Sequence, residues 1–193
     1  MTNATNPTTN AQGLTLNALN YRKGDARDSM NFFGYDPAML AHCCNNAPKG
    51  VWGAGFVIAI NGFWTQPEQA YHDWAKGAHT GAAYESGAYA LGEAQLVEVE
   101  QNFYVANVIG QVLEFSKEPN IRYEALEAGL VKACAWMQEK HGVVNLQAPR
   151  LGAGLAGGEW GLIEAILLRL VTRFKATIVI VDLPGQPTRP TRK

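Results

Sequence analysis

Hydrophobic and polar positions change period from one stretch of the chain to the next, and each period predicts an element. Residues 14–21 alternate apolar and polar side chains, the pattern of a half-buried strand, and stop at Lys23-Gly24-Asp25. Residues 39–44 are a short continuous apolar run before Asn45-Asn46-Ala47-Pro48, which fits a buried strand and its exit loop. Residues 55–76 read as a helix interrupted near Gly62 and Pro67. Residues 76–93 are rich in Gly, Ala and Tyr without clear periodicity, and read as a long surface connection. Two strands follow over 95–100 and 103–109, joined tightly at Gln101-Asn102. Residues 123–141 set Leu126, Leu130, Ala133, Cys134 and Met137 on one face of an amphipathic helix. A strand over 143–148, a helix over 159–173 and a buried strand over 176–181 complete the series. Strands alternating with helices predict an α/β domain, a sheet covered on both faces in three α/β/α layers. No internal repeat is visible.

Two glycine-rich turns interrupt this pattern, and each opens an apolar helix. The first is Gly50-Val51-Trp52-Gly53-Ala54-Gly55, before Phe56 to Ile60. The second is Gly152-Ala153-Gly154-Leu155-Ala156-Gly157-Gly158, before Glu159-Trp160 and the run Leu162 to Val171. Glycine lets a backbone approach a ligand closely and take positive φ. A helix start presents unpaired N–H groups and the positive end of its dipole, a ready anion site. Two such turns in one domain point to a ligand whose diphosphate is gripped from both sides. Gly152-x-Gly154-x-x-Gly157 also has the dinucleotide-binding spacing, with Asp182 after the next strand as a ribose-binding acid. Only one strand remains beyond that turn, however, and Pro149-Arg150 stands where such a strand would run into the first glycine. A nicotinamide-dependent oxidoreductase therefore rests on the spacing alone.

Composition narrows the field. The 193 residues suit one domain over 14–183 with a sizeable core, and 47% of them are hydrophobic. Sixteen Lys plus Arg against seventeen Asp plus Glu leave a net charge of -1, which argues against a broad nucleic-acid or membrane footprint. Cys43, Cys44 and Cys134 are odd in number and lack ligand spacing, so neither a disulfide framework nor a metal is expected. Residues 1–13, rich in Asn and Thr, read as a disordered leader and not a signal peptide. Residues 184–193 read as an extended Pro/Arg-rich tail. No run approaches the ~18 apolar residues of a membrane span. A cytoplasmic location without cofactor is the expectation.

The order Tyr21-x-Lys23-Gly24-Asp25, His42-Cys43-x-Asn45, Gly53-Ala54-Gly55, Pro149-Arg150-Leu151-Gly152-x-Gly154-Leu155 and Trp160 resembles the macro domain family. The resemblance spans about residues 14–183. Within the family it is most similar to the branch of the ADP-ribose-1''-phosphate phosphatase and the terminal ADP-ribose protein glycohydrolase. It implies a three-layer α/β/α macro domain with a central mixed sheet and ADP-ribose across the carboxyl ends of the strands. Carried onto these residues, it puts Asp25, beside Ala26, at the adenine amino group. It puts Asn45 at a hydroxyl of the distal ribose, where Trp52 either covers the sugar or simply packs. Gly53, Ala54 and Gly55 would face the diphosphate from one side. Gly152, Ala153, Gly154, Leu155, Ala156 and Gly157 would close over it from the other. Bound partners would be ADP-ribose or an ADP-ribosyl-bearing substrate, with nucleic acid only as such a substrate; the oligomeric state stays open.

Departures from the pattern concern catalysis. The position of the glycohydrolase's lysine nucleophile holds Gln111, and that of its second-loop aspartate holds Ala156. Glutamine cannot form the lysine adduct and alanine cannot exchange a proton. Attack by an activated water remains, with His42, Asn107 and Gln111 as the candidates to position or polarise it. His42 on an apolar strand also reads as a buried, hydrogen-bonded core residue, and Glu159 as a first-turn glutamate. The expected activity is hydrolysis of a group from the distal ribose, of ADP-ribose-1''-phosphate or an ADP-ribosylated substrate. The alternative is an ADP-ribose-binding module without catalysis.

Overall fold

The computed structural model describes residues 7–114 and 119–183. In chain order the elements are β1 (Leu19–Lys23), β2 (Ala38–Asn45), α1 (Phe56–Asn61), α2 (Gln66–Ala75), β3 (Tyr84–Glu85), β4 (Ala94–Glu100), β5 (Phe103–Gln111), α3 (Tyr123–His141), β6 (Asn145–Ala148), α4 (Trp160–Phe174) and β7 (Thr177–Asp182). One sheet runs β1-β7-β6-β2-β5-β4-β3. The pairs from β1 to β5 are parallel, whereas β5–β4 and β4–β3 are antiparallel, so the sheet is mixed.

The continuous apolar strands are explained by burial on both faces. On β2, Met39 and Ala41 face α3 and α4, while Ala38 and Leu40 join a second core with Phe32, Phe33, Ile60 and Trp64. On β7, Ile178 and Ile180 face the first core and Val179 and Val181 the second. Leu126, Leu130 and Met137 of α3 are fully buried. Truncating one such leucine to alanine costs about 2–5 kcal/mol. The helix predicted over 55–76 is broken as expected: α1 ends before Gly62, and α2 restarts at Gln66 with Pro67 in its first turn, where a missing N–H is harmless. Among the described residues, no helix is long and apolar enough to cross a membrane.

Three expectations change. The first strand begins at Leu19 and not at 14, because the Asn20 amide accepts from Thr15 N and donates to Thr15 O, folding 15–18 into a turn with Asn17 at φ 54. Residues 7–13, expected to be disordered, are ordered: Thr9 bridges Thr15, and the Asn10 side chain donates to Phe32 O and accepts from Leu14 N. Residues 1–6 and the tail 184–193 lie outside the described residues. The connection over 76–93 supplies the edge strand β3 and is fastened by the Trp74 indole to Gly87 O at 2.9 Å.

Candidate functional site

At the carboxyl ends of β2, β5 and β6 the two glycine turns meet across a cleft of about 240 Å³. Its walls are Ala54 to Val57 on one side and Pro149 to Gly152 with Gly154, Leu155 and Ala156 on the other; His42, Cys43 and Gln111 complete the lining. The turns approach closely, since a Cβ added to Gly55 would lie 3.3 Å from the Leu155 side chain. A larger open depression of about 690 Å³ lies between α2 and β4. Its walls include Gln66, Gln69, Thr80, Gly81 and Glu98, and it lacks the strand ends on which the two glycine turns converge.

Side chains hold the first turn from behind. Asn45 donates to Val51 O at 2.7 Å and accepts from Ala47 N at 3.0 Å. The Tyr71 and Tyr89 hydroxyls both donate to Asn45 O, at 2.5 and 3.0 Å. Asn45 therefore braces the turn from beneath. Trp52 packs: its indole donates to Asn61 Oδ1, and its ring stands edge-on to His42 at 5.2 Å and tilted to Tyr71 at 5.5 Å. Supported in this way, Gly53, Ala54 and Gly55 are exposed, and among the described residues their N–H groups donate to nothing within the protein.

Main-chain bonds hold the second turn. Gly157 N donates to Gly154 O, Gly158 N to Gly152 O, and Ile121 N to Ala156 O. The N–H groups of Gly154, Leu155 and Ala156 remain unpaired among the described residues. Arg150 beside them is fixed by a two-pronged pair with Asp182, at 2.7 and 2.9 Å, and lies over the Trp160 ring at 4.7 Å. Asp182, the acid of the dinucleotide-binding spacing, is thus occupied by an arginine, and the sheet order is not that of a dinucleotide fold.

The catalytic candidates separate. His42 is 2% exposed and Asn107 fully buried. Asn107 Nδ2 donates to Pro67 O and Gln95 Oε1, so its Oδ1 accepts from His42 Nε2–H at 2.7 Å. That leaves His42 Nδ1 as an acceptor facing the Cys44 thiol at 3.6 Å. Burial holds the His42 imidazole down to about 4, so it is neutral at pH 7. His42 lines the cleft with its Nε2 bonded to Asn107 and its Nδ1 toward the Cys44 sulfur, whereas Asn107 lies beneath it and does not line the cleft. Cys44 is 4% exposed, and burial pushes its thiol well above the usual range. Gln111, half-buried at the end of β5, is the one member of the expected trio whose polar side chain lines the cleft uncommitted among the described residues.

Asp25 and Ala26 stand in the turn after β1. The Arg27 guanidinium grips the Asp25 carboxylate from Nε at 2.8 Å and from Nη2, holding it below the usual carboxylate range. Gln147, fully buried on β6, donates to Ala26 O at 2.6 Å, and its Oε1 has no partner among the described residues. Sequence reasoning missed Arg27, Gln147, Tyr71 and Tyr89. A glutamine between the apolar Leu146 and Ala148 was the visible signal for Gln147. The tyrosines carried none.

No protein-family model and no curated protein matches this chain. Solved structures do. A protein of unknown function from Bacteroides thetaiotaomicron is 34% identical with a TM-score of 0.72, over 86% of this chain and 98% of that one. A macrodomain protein from Streptomyces coelicolor is 32% identical with a TM-score of 0.68, over 86% and 99%. Thermosipho africanus DarTG in complex with ADP-ribose shares the fold, with a TM-score of 0.62 at 18% identity, over 89% of this chain and 43% of that one. With the mixed sheet, the paired glycine turns and the end-to-end match to the Streptomyces protein together, the chain belongs to the macrodomain family.

Proposed function

We propose that this macrodomain binds ADP-ribose, free or at the end of an ADP-ribosyl-bearing substrate, and recognises it without cleaving it. The observation that carries this reading is the set of backbone N–H groups in both glycine turns, beside one cleft, that are unpaired among the described residues. Such amides are short, fixed donors for a diphosphate, and each well-made contact to a charged oxygen contributes about 1.5–3 kcal/mol. Asp25 supplies an ionised acceptor for the adenine amino group. The reading without catalysis is supported by the mutual bond of His42 and Asn107 and by a cleft lining that, among the described residues, holds no carboxylate.

Hydrolysis is the second reading, and Gln111 favours it, because its amide at the cleft can hold a water against the distal ribose. Calorimetric titration with ADP-ribose, followed by incubation with ADP-ribose-1''-phosphate and a phosphate assay, separates the readings. Binding without phosphate release, and without loss of ADP-ribose from a modified protein, is the expected result. Release would establish the hydrolase and direct attention to Gln111. A chain that does not bind ADP-ribose would overturn both.

A further inference from the structure

Among the described residues, Arg150 is the one charged side chain on the cleft lining, since His42 is neutral. Its Nε and Nη2 donate to the Asp182 carboxylate at 2.7 and 2.9 Å, and Nη1 has no acceptor among the described residues. A guanidinium is planar, so a grip through Nε and Nη2 aims both Nη1 N–H groups away from that carboxylate. The Arg150 side chain is 24% exposed and that of Asp182 8%, so the open end of the pair is the guanidinium. Two rings fix its plane: Cζ lies 4.7 Å from the Trp160 centroid and 5.6 Å from that of Tyr21. Glu164, the other carboxylate of this cluster, accepts from the Tyr21 hydroxyl. Arg150 also starts the second turn, where its own carbonyl accepts from Ala153 N.

We propose that Arg150 is a specificity-determining residue of the cleft: its Nη1 donates to a phosphate oxygen of the bound ligand, beside the backbone amides of the second turn. The proposal rests on the ADP-ribose reading above and adds a charged side chain to a lining otherwise built from uncharged groups. Asp182 holds the guanidinium in one orientation, so no side-chain freedom is lost when the anion arrives. It also offsets the arginine's charge, so the pair favours an anion by directed N–H groups more than by net charge. That phosphate belongs either to the diphosphate or to a further phosphate on the adenosine ribose, which a guanidinium reads alike.

The test is calorimetric titration of the full chain, of Arg150→Gln, of Asp182→Asn and of the double variant, alongside thermal unfolding. The ligands are ADP-ribose and its adenosine 2'-phosphate derivative. Arg150→Gln is expected to weaken at least one of them by about tenfold or more, the contribution of one charge-assisted hydrogen bond. An equal loss for both ligands assigns the contact to the diphosphate, and a loss confined to the derivative assigns it to the ribose phosphate. Asp182→Asn keeps the arginine and removes a nearby negative charge, so it should bind as tightly as wild type or tighter. The double variant should keep the loss; if Arg150→Gln does not fold, the double variant, which leaves no buried carboxylate unpaired, gives the reading. Unchanged affinity for both ligands in Arg150→Gln would overturn the proposal. So would an equal loss in Asp182→Asn, which makes the pair a brace, or recovery in the double variant, which traces the loss to the bared carboxylate. If the wild-type chain binds neither ligand, the ADP-ribose reading itself fails, and this one with it.

Discussion

The two glycine turns look alike in sequence and are built by different physics. The first is held by side chains: Asn45, Tyr71 and Tyr89 beneath it and Trp52 against His42. The second is held by its own backbone. A Cβ on Gly158 would lie 2.6 Å from Gly152 O, and one on Gly152 would lie 2.9 Å from Ile121 Cδ1, so these glycines allow close packing. Gly154, between them, has nothing within 4 Å of its would-be Cβ. Within one motif, some glycines serve the fold and others leave room for a ligand. Spacing alone does not separate the two uses; the distance to the nearest backbone does.

Four changes would break or sharpen this contrast. The largest effect is expected at Gly158→Ala, whose methyl group collides with backbone that has nowhere to move. It should destabilise the chain by about 3 kcal/mol in urea unfolding. A stable Gly158→Ala protein would mean that the second turn is looser than its contacts indicate.

The support of the first turn should show in pH. His42 titrates at 6.5 when unfolded and at about 4 in the fold, because burial disfavours its charged form. Between those values the unfolded chain holds the extra proton, so stability is full above pH 6.5 and falls as pH drops toward 4. The loss through this group is about 3 kcal/mol, and His42→Gln should remove that part of the pH dependence. His141, also lowered by burial, titrates alike in both proteins and cancels in the comparison. Equal slopes in the two proteins would refute the neutral, buried His42.

Gly154→Glu reverses the logic of Gly158→Ala. Open space and an ordinary φ should keep its stability within about 0.5 kcal/mol of wild type. If these amides hold the diphosphate as proposed, a carboxylate among them should weaken ADP-ribose about a hundredfold. Unchanged affinity would show that the second turn does not face the diphosphate. The smallest effect is expected at Tyr89→Phe, which removes a hydroxyl bonded to the Asn45 and Ala47 carbonyls. Stability should fall by about 1 kcal/mol and ADP-ribose affinity by roughly threefold. A change in stability without any change in affinity would detach the 76–93 segment from the site.

Much of the fold was legible along the chain. The runs that became β2, β5 and β7 announced themselves as buried strands, and the break at Gly62 to Pro67 was visible from the residues that cause it. The start of β1 was missed because one side chain, Asn20, rewrites the turn before it. At the site, the cleft-forming turns were legible from their glycines and Gln111 from its position at a strand end. The bonds that hold His42, Asn107 and Asn45 were not legible. Their types suit catalysis or ribose contact, yet their lone pairs and N–H groups are occupied by neighbours distant in sequence.

Sequence by itself determined the alternation of strands and helices, the family resemblance and the places where the backbone could open to a ligand. These depend on the period of apolar residues and on the conformational freedom of glycine, both properties of a few consecutive residues. Only the tertiary structure decided which polar groups are free. His42 meets Asn107 across 65 residues, and Gln147 meets Ala26 across 121. Such partners are chosen when the sheet assembles, because a buried polar group must bond to whatever the fold brings beside it.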